Sequence, residues 1–517
     1  MMSDEDNTFE NCSKRRHWPG EHVLALDFRS LAAFRILFSA VLLLDCLIRW
    51  IDATAHYSDL GLLPRGVLLE QGWNPSFFSL HMINGQPAFI HAMFAIQALA
   101  ALALLCGFRT RSATLLSWLL LVSIHNRNPW VLNGGDVYAR VILFWMLFLP
   151  WGQIWSMDAQ RKQSDFRWWM GKLSEDGRGV RSMASLAVLL QISLLYWFAA
   201  LPKTHPSWVA DNSAINIALH LDYLVKPFGV AFREMFADQL PALTWLVFLW
   251  EFWGPFLLWF PFDKGQVRTF SLCLFAAMHM GFELCFAIGL FPAYCMVILS
   301  VLLPGWFWEK LGFVKSYDIS LPKISRRRHQ AAQWSCGLLV LYLVAWNFSN
   351  EQFRPVISIP DPLKWVAFTL RLDQRWNMFS PSPPYHDGWW VAVAHRRSGD
   401  TLNLFDPTGP ITWDKPENIS GGYLTQRRRR WWMELRSTNN QRLLSSTCTY
   451  LCNKLNGDKR SLHEVKEVEL YYMLELTRMD GSEMEPRKVE VYRHDNFPPN
   501  PSVPVNVIVP EEENVGE

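Results

Sequence analysis

The sequence contains few charged residues and no recognisable metal-binding cysteine motif. Only 19% of its 517 residues are charged and the formal net charge is +2. We therefore expect no nucleic-acid partner, because binding to phosphates requires a basic surface. The nine cysteines form no CxxC pair and no Cys/His cluster at zinc spacing, and we predict no metal site. Cys448 and Cys452 are the one close pair outside the apolar segments, and we expect both thiols to be unbridged.

The N-terminal region lacks the features of a cleaved signal peptide. It is first acidic and then basic, and it has no apolar stretch followed by small residues. We therefore expect residues 1–28 to form a cytoplasmic tail and the first long apolar segment to start insertion into a membrane.

Apolar and aromatic residues are abundant: half of the residues are hydrophobic and 27 are tryptophan. A helix needs about 20 mostly apolar residues to cross a bilayer. The sequence predicts an all-α polytopic membrane bundle of about nine transmembrane helices, followed by a small α/β extramembrane domain. The predicted spans are residues 31–51, 88–108, 112–124, 137–155, 183–201, 243–262, 269–291, 293–308 and 335–348.

Basic residues cluster in alternate connections between these spans, which predicts the orientation of the chain. The clusters lie at residues 14–16, 109–111, 161–181, 264–268 and 310–328. By the positive-inside rule the N-terminus is cytoplasmic, and an odd number of spans places the C-terminal domain outside. We expect the plasma (inner) membrane. The loops at 52–87 and 202–241, rich in Pro, Gly and aromatics, are then external and fold over the outer end of the bundle.

After the membrane domain, predicted at residues 29–350, the composition becomes mixed. Residues 389–395 and 468–479 alternate as strands do, and residues 428–455 are predicted to form one helix. We expect an external α/β domain at 351–496 and a disordered tail at 497–517.

Several ionisable residues fall inside the predicted spans, where each costs about 2.5 kcal/mol or more and needs a partner or a function. Helix spacing predicts three i,i+4 pairs. These are Asp45 with Arg49, Asp136 with Arg140, and His279 with Glu283; Glu251 stands alone. Such pairs either fix helix packing or take part in chemistry, and the spacing does not decide between the two.

Lys203 lies at the outer end of the fifth predicted span, in FAALPKTHPSW. One interpretation is a lysine that extends to the membrane interface. The other is a desolvated amine, close to Tyr196, Trp197 and Trp208, that acts as a base. The positive-inside rule disfavours lysine on this side, so Lys203 is the residue to test.

Five motifs in one order resemble the horizontally transferred transmembrane (HTTM) family. They are LAAFRILFSAVLLLDCLIRWIDA with HYSDLGLLPR, NRNPWVLNGGDVYARVILFWMLFLPWG, YWFAALPKTHPSW, HMGFELCFAIGLFPAYCMVILSVLLPGW and LDQRWNMFSPSPP. That family includes the vitamin K-dependent γ-glutamyl carboxylases. In those enzymes a membrane lysine deprotonates reduced vitamin K, oxygen converts it to the epoxide, and carbon dioxide adds to a deprotonated glutamate.

The resemblance implies a role for five residues. Lys203 would be the base and His279 a second catalytic residue. Tyr196, Trp197 and Asp136 would line or adjoin the pocket for reduced vitamin K or a related naphthoquinol, and no metal is implied. The partners implied are the lipid bilayer, the quinol and a small or peptide carboxylate substrate.

The chain departs from the carboxylases at Gly134 and Gly135, where they have a histidine. Two functions therefore remain open. The first is a quinol-coupled epoxidase or carboxylase, and the second is a non-catalytic multi-span protein that binds or carries a quinone or lipid.

Overall fold

The structure is a computed structural model. It describes residues 21–71, 73–161, 171–174, 176–313, 319, 326–349, 357–437, 440–456, 464–478 and 482–495. The predicted tail at 497–517 and most of the predicted tail at 1–28 lie outside these residues.

The chain is mainly helical up to residue 370 and mixed thereafter. The helices of the first part are α1 (Glu21–Leu24), α2 (Phe28–Ile51), α3 (Ala53–Tyr57), α4 (Arg65–Glu70), α5 (Pro87–Cys106), α6 (Thr110–Arg127), α7 (Gly134–Met146), α8 (Met157–Gln160), α9 (Met183–Ala200), α10 (Pro206–Val209), α11 (Ala214–Ala218), α12 (Pro227–Met235), α13 (Leu240–Leu258), α14 (Gln266–Cys285), α15 (Phe291–Leu299), α16 (Gly305–Lys310), α17 (Arg326–Phe348) and α18 (Asp361–Leu370). Short 3₁₀ turns lie at Leu80–Met82, Pro129–Val131, Ala237–Gln239 and Ser300–Leu302.

Five of these helices are long and apolar enough to cross a membrane: α2, α5, α9, α13 with the 3₁₀ turn before it, and α17. Each overlaps a predicted span, although α17 begins nine residues before the predicted 335–348 and the helix at Ala237–Leu258 begins six before the predicted 243–262. The other four predicted spans fall on α6, α7, α14 and the pair α15 and α16, which are shorter or more polar within the described residues. The structure thus supports a membrane bundle, and the predicted number of nine spans is not confirmed.

The prediction of a span at 137–155 gave the wrong end for its helix. Helix α7 ends at Met146, and the following segment runs through turns. Pro150 follows four residues later and disfavours a helical residue before it. At its start, Asn133 and Asp136 form a reciprocal capping box, with the Asn133 N–H donating to the Asp136 carboxylate at 2.7 Å.

The C-terminal part contains a four-stranded antiparallel sheet. Its strands are β4 (His386–Arg396), β5 (Thr401–Asn403), β6 (Val465–Leu476) and β7 (Arg487–Asp495), in the order β5-β4-β6-β7. The helices of this part are α19 (Ile419–Gly422), α20 (Gln426–Ser437) and α21 (Gln441–Asn456). A three-stranded sheet of β1 (Ala25–Asp27), β2 (Lys172–Leu173) and β3 (Gly179–Arg181) lies at the start of α2.

The two strands predicted for this domain are confirmed, since β4 includes residues 389–395 and β6 covers most of 468–479, of which residue 479 lies outside the described residues. The single helix predicted at 428–455 is wrong. It is two helices, and the side chain of Asn440 accepts from the Leu443 N–H at 3.1 Å to cap the second. Cys448 and Cys452 are buried and unbridged, as predicted.

Both faces of the four-stranded sheet are covered, and one face packs against the membrane part. Alternate residues of β4, such as Trp390 and Ala392, pack with α20, α21 and the 52–87 loop in one apolar cluster. Trp389 and Val391 face the other way and pack near Tyr223 of the 202–241 loop. Both predicted external loops therefore lie between the bundle and the C-terminal domain.

Candidate functional site

Lys203 is buried although it lies in a loop that follows α9. Its side chain is 3% exposed and pairs with the Glu251 carboxylate, which α13 holds at 6% exposure. The Lys203 Nζ atom also lies 4.2 Å from the ring centre of Trp208. The Trp208 N–H in turn donates to the Phe379 carbonyl at 2.9 Å. The amine is thus held in a dry setting and does not extend to water.

A second polar pair lies between α9 and α14. The Tyr196 hydroxyl and His279 Nε2 are 2.9 Å apart, and both residues are buried. His279 Nδ1 has no hydrogen-bond partner among the described residues. The Tyr196 ring stacks on Phe275 with centres 3.9 Å apart. Because the remaining His279 nitrogen is unpaired in an aromatic environment, a polar ligand atom would stabilise it.

The two pairs belong to one region. Phe275 contacts Tyr196 and also Trp250, with ring centres 5.1 Å apart in the second contact. Trp250 directly precedes Glu251, the partner of Lys203. Trp250 Nε1 is also buried and unpaired among the described residues. A series of contacts through Phe275 and Trp250 therefore links the pair of Tyr196 and His279 to the pair of Lys203 and Glu251.

Trp197 is directed elsewhere. Its indole N–H donates to the Phe252 carbonyl at 3.1 Å, and its ring lies 5.0 Å from that of Phe256. The half-buried Trp197 ring therefore packs against α13.

Asp136 belongs to a buried charge cluster formed by Asp45, Arg49, Asp136 and Arg427. Arg49 contacts Asp45 at 2.8 Å and Asp136 at 2.5 Å. Arg427, from α20, contacts Asp45 at 3.0 Å and one Asp136 oxygen at 2.6 Å, and pairs with the other oxygen as well. His125 Nε2 lies 3.3 Å from Arg49. The carboxylate of Asp136 is thus occupied by two guanidinium groups.

Of the three predicted i,i+4 pairs, only Asp45 with Arg49 forms. The pairs of Asp136 with Arg140 and of His279 with Glu283 are wrong. Arg140 instead contacts Asp373 at 2.9 Å, and the Glu283 carboxylate contacts Lys226 at 2.9 Å. In each case a partner from another part of the chain displaces the local one.

Arg427 was missed because its partners are 291 and 382 residues away in the sequence. The run of four arginines at 427–430, followed by two tryptophans, was the available signal. The first three have separate partners. The Arg428 Nε atom lies 3.0 Å from a carboxylate oxygen of Asp52, and Arg429 donates to the Ala287 and Tyr223 carbonyls.

Gly134 and Gly135 abut Phe291, whose ring lies 5.9 Å from that of His279. A Cβ on Gly135 would lie 2.9 Å from the Phe291 Cα, and one on Gly134 would lie 3.4 Å from its ring. The close approach at Gly135 requires glycine. Phe291 therefore packs where the side chain of a histidine at these positions would begin.

Within the described residues, one group of three acidic side chains is close enough to hold a metal ion: Asp222, Glu475 and Glu483. The Lys415 Nζ atom lies 2.6–2.8 Å from all three. Burial alone would lower the pKa of Lys415, but these contacts raise it. The lysine thus supplies the positive charge of this cluster. Nearby, burial raises the pKa of Asp387 to about 7, and the charge of Asp222 adds to the effect.

Comparison with known families identifies the membrane part. The family model of the HTTM domain matches residues 25–306, which is more than half of the chain. The chain belongs to the HTTM family. No curated protein and no solved structure matches it. Together with the five apolar helices, this membership makes the chain an integral membrane protein.

Proposed function

We propose that this chain is a quinol-coupled membrane enzyme, similar in chemistry to the vitamin K-dependent γ-glutamyl carboxylases, in which Lys203 is the base. The observation that carries the proposal is the buried amine of Lys203 between a carboxylate and an aromatic ring, linked through Trp250 and Phe275 to the pair of Tyr196 and His279. A lysine becomes a useful base when it is desolvated, because burial disfavours its charged form.

The residues present fit a naphthoquinol. Aromatic rings dominate the region, and two buried polar atoms, His279 Nδ1 and Trp250 Nε1, have no partner among the described residues. The apolar ring of the quinol would pack against these aromatic rings, and its hydroxyl groups would pair with the two polar atoms. A bound quinol would supply an acidic hydroxyl and would itself be oxidised, with oxygen as the oxidant that converts it to the epoxide and water.

The role of Lys203 is to accept the quinol hydroxyl proton at Nζ. It can do so only as a neutral amine, so its ion-pair proton must first reside on Glu251. In a medium of low dielectric constant, a neutral amine beside a neutral carboxylic acid competes with the ion pair, because both charges lose their hydration. Glu251 is therefore a positioning residue that holds this proton while Lys203 takes up the proton of the quinol.

Tyr196 and His279 orient the ring. The hydrogen bond to Tyr196 fixes the His279 imidazole, which leaves Nδ1 to contact a quinol oxygen. Trp197 packs against α13 and Asp136 is held by two arginines, so the proposal gives neither of them a contact with the quinol. The carboxylate substrate, small or peptide, would approach from the side of the C-terminal domain.

The proposal includes an orientation and a location. The basic clusters support a cytoplasmic N-terminus, an external C-terminal domain and about nine spans in the plasma (inner) membrane. On that orientation Lys203 faces the external side, where the 202–241 loop meets the C-terminal sheet.

The test measures epoxide formed by the purified protein from reduced vitamin K, oxygen and carbon dioxide. We expect the wild type to form epoxide and Lys203→Ala to lose about a hundredfold to ten-thousandfold of the rate, as expected for removal of a general base. Lys226→Ala is the matched control. Lys226 also pairs with a glutamate, but both partners are about one-third exposed, so its rate should equal that of the wild type.

A second variant separates folding from chemistry. Lys203→Met combined with Glu251→Gln removes both charges at once, so it should fold as the wild type does and still be inactive. Epoxide formation that is unchanged in Lys203→Ala, or absent from the wild type, would contradict the proposal.

The alternative function, a non-catalytic binder or carrier of a quinone or lipid, is favoured by a different observation. A groove of about 270 Å³ lies between α12 and the start of α13, lined by Phe232, Phe236, Gln239, Leu240, Ala242, Leu243 and Leu246. Its apolar lining suits a hydrocarbon chain. Mass spectrometry of extracted lipids distinguishes the two functions, since a co-purified naphthoquinone supports the enzyme and phospholipid alone supports the binder.

A further inference from the structure

Arg127 is a buried cation whose hydrogen bonds are incomplete. It is the last residue of α6 and is fully buried. Its Nη2 atom donates to the carbonyls of Leu63, at 2.9 Å, and Ser58, at 3.2 Å. The Nε and Nη1 atoms have no partner among the described residues. An unsatisfied buried guanidinium is costly, so the free edges indicate a partner that the described residues do not provide.

The charge of Arg127 is also poorly matched. Its nearest carboxylate is Asp59, at 3.7 Å, and Asp59 is already bound to Arg65 at 2.7 Å. Arg29 and Arg49, which are also buried, have a carboxylate within 2.8 Å, and Arg35 instead donates to four carbonyl oxygens. A cation in this setting is stabilised by an anion. A water molecule carries no net charge and cannot take the place of that anion.

The surrounding side chains leave more buried polar atoms unpaired. These are both ring nitrogens of His56, His81 Nε2, Asn126 Oδ1 and Asn128 Oδ1, again among the described residues. The Ser123 Oγ atom lies 2.6 Å from His81 Nδ1 and fixes the ring. The charge of Arg127 contributes to lowering the pKa of His81. The ring of Trp431, from α20, covers His56 with ring centres 6.1 Å apart.

These histidines do not add charge to the region. Burial, with Arg127 and Arg49 nearby, lowers the pKa of His81 to about 3, and burial lowers the pKa of His56 to about 4. Both are therefore neutral at pH 7 and offer one donor and one acceptor each. With a single uncompensated positive charge, the region suits a monovalent anion rather than a dianion such as hydrogen phosphate.

We propose that Arg127, with His81, binds a small monovalent oxyanion of the carboxylate class at a site separate from Lys203. The Arg127 Nε and Nη1 atoms donate to its oxygens, since a guanidinium matches a planar carboxylate well. The unpaired Nε2 atom of the neutral His81 adds a polar group to the lining. This site does not depend on the quinol-coupled reaction.

Sodium formate is the probe, because it is the smallest carboxylate. The purified full-length protein is melted in increasing sodium formate, with sodium chloride lowered so that ionic strength is constant. We expect a saturable rise in melting temperature for the wild type, and an apparent affinity for formate about tenfold or more weaker in Arg127→Gln, because a charge-assisted contact is lost.

Two partly exposed residues test the site without emptying it, so they remain informative if Arg127→Gln does not fold. Asp59→Asn removes the competing carboxylate and should tighten formate binding. Arg65→Gln leaves Asp59 free to pair with Arg127 and should weaken it. The side chains of Arg65 and Asp59 are 31% and 35% exposed, so both variants should fold. The proposal is overturned if formate and chloride have the same effect on the melting temperature, as expected for a site filled by water. It is also overturned if these two variants do not shift formate binding in opposite directions.

Discussion

Replacing Arg427 with methionine should destabilise the protein, because this residue balances a buried charge cluster from the far end of the chain. The two aspartates, Asp45 and Asp136, face the two arginines, Arg49 and Arg427, and every one of these side chains is at most 7% exposed. Removing one guanidinium leaves a net negative charge and breaks its contacts with both carboxylates and with the Val131 carbonyl. Breaking a buried ion pair costs about 3–5 kcal/mol, and we expect the lower end because Arg49 still contacts both carboxylates.

The assay is the free energy of unfolding of the purified protein in detergent, followed by tryptophan fluorescence in denaturant. Arg430→Met is the matched control on the same helix, since Arg430 is 47% exposed and lies 3.5 Å from Glu434. It should change stability by no more than about 0.5 kcal/mol. Arg427→Met combined with Asp45→Asn restores neutrality and should recover part of the loss. Equal stabilities of the two single variants, or no recovery in the double variant, would refute the charge-balance explanation.

Three further predictions concern other residues. Asp387 has a folded pKa of about 7 against an ordinary 3.8, so it stabilises the fold below pH 4 and loses that contribution as the pH rises through 7. Asp387→Asn should flatten this fall in a pH series of melting temperatures, and an unchanged profile would contradict it. Gly135→Ala should cost about 1–3 kcal/mol because its Cβ would meet the Phe291 backbone, whereas Gly134→Ala should be neutral or stabilising; equal unfolding energies would argue against the close approach. Lys415→Met should leave three facing carboxylates, so calcium should raise the melting temperature of the variant and not of the wild type; no response to calcium would show that the carboxylates do not converge.

Features set by local sequence were predictable. Long apolar segments marked the five strongest membrane helices, because lipid leaves the backbone no other partners. The pair of Asp45 and Arg49 followed from helix spacing alone. Alternation of apolar residues marked β4 and β6.

Features set by distant contacts were not predictable. Helix spacing allows Arg140 to pair with Asp136, but it does not compel the pair when Asp373 and Arg427 offer partners from the C-terminal part. Desolvation was one of the two interpretations of Lys203, and its burial favours that one, but nothing local indicated that Glu251, 48 residues away, would contact it. Its catalytic role stays a prediction.

The position of Arg427 in the chain has a consequence for biosynthesis. The ribosome makes Arg427 291 residues after Asp136, an interval of roughly 15 to 60 s at about 5–20 residues per second. Throughout that interval the nascent bundle holds two carboxylates against the lone guanidinium of Arg49. The charge cluster between these early helices is therefore completed only when the last fifth of the polypeptide is translated. A chain released before that point would keep an unbalanced negative charge in its interior.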